Sequence, residues 1–194
     1  MRPAQLPQRL TSSAPTADTA PPGAAQRVWD PFIRLFHWSL VACVLLNQLV
    51  LEGGETPHRW TGYAATALVL ARVVWGFIGS RHARFAEFFP TPARLRSHLQ
   101  ALRRGQHPVH AGHNPLGALM MLALMATVLA LGVTGWLQGT DAFWGDEGLQ
   151  NLHETLANGL LWAAGLHAAA AIVMGRLERV DLVRAMVTGV KRPR

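Results

Sequence analysis

The stretch LHETLANGLLWAAGLHAAAAIVMG, residues 152–175, decides how this chain folds. It is long and apolar enough for a helix to cross the roughly 30 Å of hydrocarbon in a membrane. It nevertheless holds two histidines, His153 and His167. Because an ionisable side chain at membrane depth is costly, it usually has a partner or a function. The stretch therefore predicts a membrane span that also carries a site.

Three similar apolar stretches precede it, so the fold class predicted is an all-α integral membrane protein with a four-transmembrane-helix bundle. A cap followed by proline opens two of the stretches, at Asp30-Pro31 and at Asn114-Pro115. Four apolar helices of a soluble core are the alternative, but they would lack polar faces toward water. The predicted helices span about 32–51, 58–79, 115–137 and 152–175.

Basic residues orient the spans. The net charge is +7, and 17 of the 18 basic residues are arginines. Sixteen of the 18 basic residues lie before the first span's centre, between the second and third spans, or after the fourth. Because positive charge collects on the inner side of membranes, both termini are predicted to be cytoplasmic. Long apolar runs separate the arginines, which argues against nucleic acid as a partner.

Polar segments flank the spans. Residues 1–27 are rich in Pro, Ala, Ser and Thr and predict a disordered cytoplasmic tail, ahead of a membrane domain over 28–194. In the inner loop, Thr91-Pro92 opens a short pattern with leucines on one side and arginines elsewhere. It predicts an amphipathic helix on the membrane surface, in contact with lipid. Cys43 is the only cysteine, which excludes an internal disulfide and covalent haem attachment.

Four histidines lie within the spans, and helix direction sorts them into two levels. The first span runs outward, so His37, near its start, lies toward the inside. The second and fourth spans run inward, so His58 and His153 lie near the outside and His167 toward the inside. We predict an inner pair, His37 with His167, and an outer pair, His58 with His153. The inner-loop histidines His82, His98, His107, His110 and His113 need no explanation as ligands.

The spacing on the fourth span indicates what the pairs bind. His153 and His167 are 14 residues apart, so they face the same side of a helix, about 21 Å apart along its axis. Two flat macrocycles held edge-on between helices fit that separation. Two histidines fill both axial positions of a haem iron, which favours electron transfer over oxygen chemistry. Taken singly, His37, His58 and His153 also fit solvated positions at the interface.

Arg72 lies 14 residues after His58, so it is expected to face the same interior at the level of the inner pair. A buried arginine there suits a haem propionate. The alternative is that its side chain snorkels to the inner headgroups. Arg34 and Arg81 are further candidates for the same role.

Several motifs agree in order and spacing with one known family. The motifs are VWDP (28–31) with RLFHW (34–38), His58 with Gly62-Tyr63, Arg72 with WGFIGS (75–80) and ARF (83–85), GHNPLG (112–117), Thr134-Gly135, and HETLAN (153–158) with GLH (165–167). Over about residues 28–192 the chain resembles the bacterial di-haem cytochrome b-561 family, which groups with the cytochrome b subunits of nickel–iron hydrogenases.

The resemblance implies a multi-pass cytochrome of the bacterial inner membrane with two non-covalent b-type haems, held by His37, His58, His153 and His167. Such families pass electrons between the quinone pool and a periplasmic redox partner, which is a c-type cytochrome, a hydrogenase or, in one branch, superoxide. A homo-oligomer, or a subunit of a quinone-linked oxidoreductase, fits the same resemblance. No catalytic residue is predicted.

Other interpretations stay open from the sequence. A membrane anchor or assembly subunit whose histidines bind nothing is one, and a histidine-based proton or metal transporter is another. His113 and Asn114 could face a quinone headgroup, although Asn114 also fits a helix cap. The acidic segment 140–148, with Phe143 and Trp144, fits either a docking surface or a solvated turn with interfacial aromatics.

Overall fold

A computed structural model describes residues 25–106 and 112–192, and these form a helical bundle with one two-stranded ribbon. Two 3₁₀ turns, Arg81–Ala83 and Asp141–Phe143, lie in the connections. The helices are α1 (Pro31–Leu49), α2 (Thr56–Ile78), α3 (Phe85–Phe88), α4 (Pro92–Arg103), α5 (Pro115–Leu137), α6 (Glu147–Leu177) and α7 (Leu182–Thr188), and the strands are β1 (Gln26–Arg27) and β2 (Val190–Lys191).

Four of these helices, α1, α2, α5 and α6, are long and apolar enough to cross a membrane. The all-α integral membrane fold is therefore confirmed. Asp30 and Asn114 cap α1 and α5 as expected, accepting hydrogen bonds from Ile33 N at 2.9 Å and Gly117 N at 2.7 Å. The ends of α1, α2 and α5 differ from the expected bounds by two residues or fewer.

The start of α6 differs more, because a polar cap lies well before its apolar stretch. Asp146 accepts a hydrogen bond from Leu149 N at 2.7 Å, so α6 begins at Glu147 rather than near 152. His153 consequently lies in the second turn of its helix rather than at its opening.

The spans pack in the order α1, α2, α5 and α6, each against the next. The main apolar core lies between the first three, around Phe36, Val69, Met125 and Val128, and Leu160 joins it from α6. Among the described residues, α6 makes close contacts along α5 and few with α1 or α2. One face of α6 is thus directed toward α1 and α2 without packing tightly on them.

The inner loop forms the predicted surface helix, α4, whose cap Thr91 accepts a hydrogen bond from Arg94 N at 3.3 Å. Its leucines do not all lie on one exposed side. Leu99 is exposed, whereas the adjacent His98 is only 3% exposed. The sequence pattern does not reveal this burial of His98 against the protein.

Strands β1 and β2 form an antiparallel pair that we call the terminal ribbon, with Gln26 opposite Lys191 and Arg27 opposite Val190. Gln26 and Arg27, which the composition predicts as part of a disordered tail, instead form strand β1. The rest of that prediction, over residues 1–24, lies outside the described residues, as do His107 and His110.

Gly189 joins the ribbon to the bundle. It ends α7 with φ at +82°, in the left-handed region that glycine adopts at little cost. Its carbonyl accepts hydrogen bonds from Val28 N at 2.9 Å and Trp29 N at 3.1 Å. A Cβ at this position would lie 2.6 Å from the Trp29 carbonyl oxygen. Glycine is therefore needed here for both backbone conformation and space.

Replacing Gly189 with Ala should destabilise the inner end of the bundle. A non-glycine residue in the left-handed region costs about 1–2 kcal/mol, and the Trp29 carbonyl would also have to move. The matched control is Gly105→Ala, because Gly105 has φ at +70° with nothing within 4 Å of a Cβ. Thermal unfolding in detergent should show a larger fall in melting temperature for Gly189→Ala. Equal falls would contradict the role given to the ribbon contact.

Candidate functional site

The outer histidines face each other. The ring centroids of His58, on α2, and His153, on α6, are 6.4 Å apart with the ring planes at 62°. Two imidazoles that bind one metal from opposite sides, with metal–nitrogen bonds of about 2 Å, have centroids roughly 6 Å apart. The Nδ1 atom of His58 is buried without a hydrogen-bond partner among the described residues. The spacing of the pair fits two axial ligands of one iron.

The inner histidines lie on two different helices. His37, on α1, and His167, on α6, interact electrostatically. Both are half-buried, and the Nδ1 atom of His37 has no hydrogen-bond partner among the residues described. The outer pair is thus in direct proximity, and the assignment of both pairs as ligands stays a prediction.

Polar side chains on α1 hold the outer end together. Asn47 Nδ2 donates to the His58 carbonyl at 3.2 Å, and Gln48 Nε2 donates to the Ala157 carbonyl at 2.7 Å. Side-chain hydrogen bonds between helices stabilise membrane bundles, because apolar side chains contact lipid as favourably as they contact another helix. These two bonds tie α1 to α2 and to α6 on either side of the outer pair.

A third helix contacts the outer pair through Thr134, which the sequence analysis did not single out as a site residue. Its hydroxyl lies 2.7 Å from His153 Nδ1. Next to it, a Cβ on Gly135 would lie 3.2 Å from His153 Cε1, so the ring is close to the α5 backbone. The only signal in the sequence was a hydroxyl and a glycine in adjacent positions.

Arg72 is buried at the inner end of α2, with 2% of its surface exposed. One guanidinium nitrogen, Nη2, donates to the Ala83 carbonyl at 3.0 Å, and the group lies 5.3 Å from the Phe85 ring centroid. Nη1 is buried with no partner among the described residues. Such burial does not fit a side chain that reaches the headgroups. Arg81 instead pairs with Glu87 at the surface, at 3.4 Å.

Asp30 connects the start of α1 to the end of α2. Besides capping α1, its carboxylate accepts hydrogen bonds from Trp75 Nε1 at 3.1 Å and from the Ser80 hydroxyl. Burial acts to raise the pKa of Asp30, but hydrogen bonds from Ser80, Ile33 and Trp75 outweigh it and hold the pKa below its usual value. The carboxylate also interacts with Arg72, which partly balances that buried charge.

His113, which the sequence offers as a residue that could face a quinone headgroup, interacts electrostatically with both inner histidines. Its ring packs between Trp29 and Phe88, with centroids at 4.7 and 5.0 Å. Burial lowers the pKa of His113 to about 3, and the positive charges of Arg72 and Lys191 act in the same direction. Its burial depends on Trp29 and Phe88, which are distant in sequence.

Lys191, from the terminal ribbon, lies in the same region as Arg72 and His113. We call these three residues, together with Arg34, the inner polar cluster. It is buried and donates to the Gly112 carbonyl at 3.1 Å. Burial lowers the pKa of Lys191, and Glu178 opposes this shift. Arg34 adds a further buried donor, since its Nε has no hydrogen-bond partner within the part of the chain that the structure describes. Buried donors without acceptors next to buried cations fit the carboxylates of a haem.

Comparisons with known proteins identify the family of this chain. Residues 28–189 match the family described as prokaryotic cytochrome b561, and the chain belongs to that family. A probable Ni/Fe-hydrogenase B-type cytochrome subunit from Rhodobacter capsulatus is 24% identical over 209 aligned residues, which cover 84% of this chain and 79% of the relative. No solved structure matches the chain. The protein is thus a membrane cytochrome of the class that carries electrons through b-type haem.

Replacing Asp30 with Ala should cost more than losing a helix cap. An N-cap contributes about 1 kcal/mol, and the two further side-chain hydrogen bonds add about 1 kcal/mol each. We expect a loss of about 2–4 kcal/mol, against about 1 kcal/mol for Asn114→Ala, which removes a cap alone. Thermal unfolding of the two variants in the same detergent tests this. A loss for Asp30→Ala no larger than that for Asn114→Ala would rule out the connecting role.

Proposed function

We propose that this chain carries electrons across the bacterial inner membrane through two b-type haems, each bound by two histidines, between the quinone pool and a periplasmic redox partner. The observation that supports this most directly is the outer pair, whose rings face each other with centroids 6.4 Å apart. His58 and His153 would bind the outer haem, and His37 and His167 the inner one.

The inner polar cluster supports the second site. Arg72 Nη1, Arg34 Nε and His113 Nδ1 are buried nitrogens that have no hydrogen-bond partner among the described residues. A b-type haem brings two propionates, and we assign these nitrogens to them. Arg72 would make the central contact, because its other nitrogen, Nη2, is already fixed by the Ala83 carbonyl.

Bound haem supplies a one-electron couple, and the protein determines how that couple is used. His58 with His153, and His37 with His167, would hold the two haems, and ligation by two histidines would favour electron transfer over oxygen chemistry. The ligands on α6 lie about 21 Å apart along the helix axis, so α6 holds one site toward each face of the membrane.

The ends of the bundle indicate where electrons enter and leave. At the outer end, the segment around Asp141–Phe143 is acidic, and Trp144 beside it is 78% exposed. We propose this segment as the docking surface for a periplasmic redox protein, a c-type cytochrome or a hydrogenase. The name of the Rhodobacter relative favours the second. Quinone would exchange electrons with the inner haem.

Loss of one histidine should remove one haem and spare the other. Wild-type protein purified after expression with ample haem should contain about two haems per chain by pyridine haemochrome. His167→Ala and His37→Ala should each retain only the outer haem, and His58→Ala and His153→Ala only the inner haem. His82→Ala, which replaces a histidine in neither pair, is the matched control and should keep both.

Each outcome of that experiment is decisive. A colourless wild-type preparation would end the proposal, and would favour a membrane anchor or a transporter. If His167→Ala and His58→Ala lost the same haem, the pairing would be wrong, even if the protein binds haem.

The orientation can be tested with single cysteines. In a Cys43→Ser background, Gly53→Cys lies in the connection between α1 and α2, and Gln106→Cys lies after α4 on the opposite side. A membrane-impermeant maleimide added to intact spheroplasts should label the first variant, and should label the second only after permeabilisation. The opposite pattern would place both termini outside and contradict the arginine distribution.

A further inference from the structure

Thr134, on α5, contacts His153, one histidine of the outer pair. The Thr134 hydroxyl lies 2.9 Å from the Ala130 carbonyl and 3.2 Å from the Leu131 carbonyl, both one turn earlier in α5. A hydroxyl has a single hydrogen and two lone pairs, and carbonyl oxygens only accept. Thr134 can therefore donate to a carbonyl of its own helix and accept a hydrogen bond from another group at the same time.

Thr134 Oγ1 lies 2.7 Å from His153 Nδ1, and which of the two atoms donates depends on the tautomer of the ring. With the hydroxyl hydrogen on the Ala130 carbonyl, Oγ1 offers a lone pair and Nδ1 donates to it. In a neutral imidazole with the proton on Nδ1, the other nitrogen, Nε2, carries the free lone pair. The α5 hydroxyl is thus placed to accept from the tautomer of His153 that can bind a metal through Nε2.

The same segment of α5 fixes where the ring lies. A Cβ on Gly135 would be 3.2 Å from His153 Cε1, closer than ordinary van der Waals contact. Gly135 therefore lets the ring approach the α5 backbone closely enough to reach the hydroxyl beside it. By contrast, the Nδ1 atoms of His37 and His58 have no hydrogen-bond partner among the described residues. Only one ligand of the outer pair has this support.

We propose that Thr134 is a positioning residue for the outer haem, which fixes the tautomer of His153 and lowers the reduction potential at that site. This inference rests on the proposed function. A hydrogen-bond acceptor on the second nitrogen makes a ligating imidazole more basic. A more basic axial ligand stabilises ferric over ferrous iron, because it donates more electron density to the metal.

The test is a redox titration of purified protein with Thr134→Val, which keeps the side-chain shape and removes the hydroxyl. The midpoint potential of the outer haem should rise, the inner one should stay unchanged, and the affinity of the outer site for haem should fall by about 10- to 100-fold. The electron paramagnetic resonance signal of the outer ferric haem should shift with the potential. The outer component is assigned by its absence from His153→Ala.

The matched control is Thr127→Val, on the same helix. Thr127 donates to the Ala123 carbonyl at 3.0 Å, the same kind of bond that joins Thr134 to Ala130, and it has no hydrogen bond to a histidine among the residues that the structure describes. It should leave both potentials unchanged. Thr134→Ser and Thr134→Ala, which differ from each other only by the hydroxyl, repeat the comparison if Thr134→Val does not fold. The serine variant should keep the wild-type potential, and the alanine variant should show the rise.

An unchanged outer potential and spectrum in Thr134→Val, or equal potentials in the serine and alanine variants, would overturn this inference. Either result would leave two haems per chain in the wild-type protein, so the proposed function would stand. Wild-type protein without haem would instead defeat the proposed function itself.

Discussion

One face of α6 presents two imidazoles to two different helices, and most of the architecture follows from that requirement. His153 faces His58 on α2, with ring centroids 6.4 Å apart, and His167 interacts electrostatically with His37 on α1. His37 and His58 each lie near the start of their helix. Because α1 and α2 run in opposite directions, the two residues nevertheless lie at opposite ends of the bundle. Helix α5 packs along α6 and supports it from another side, so the histidine face stays directed toward α1 and α2.

The sequence alone predicts the four spans, their direction and the two histidine pairs, since apolar length and arginine position suffice for all three. It misplaces the start of α6, because hydropathy marks the apolar stretch while the Asp146 cap starts the helix among polar residues. It also misses the burial of His113, which depends on rings that only the folded chain brings near. The contact of Thr134 with His153 is unpredictable for a different reason, because a hydroxyl in an apolar helix usually forms a hydrogen bond to its own backbone.

The two ends of the bundle are built differently. At the outer end, short connections leave the histidine pair near the membrane surface, and its polar contacts come from side chains within the spans. At the inner end, Ala185 from α7 and Ala83 form a second small core with Val28, Trp29 and Ile33. Buried cations lie against that core. The two ends of the bundle thus differ in charge, with arginines concentrated at one end and acidic residues at the other.

The terminal ribbon also constrains the order of assembly. Its two strands lie on either side of all four spans in the chain, so they cannot pair until the ribosome has made the last span and the membrane has received it. The Gly189 carbonyl, which holds Val28 and Trp29, becomes available at the same late moment. Closure of the inner end is therefore a post-insertion event, and the growing chain keeps that end open while its spans are being threaded into the lipid.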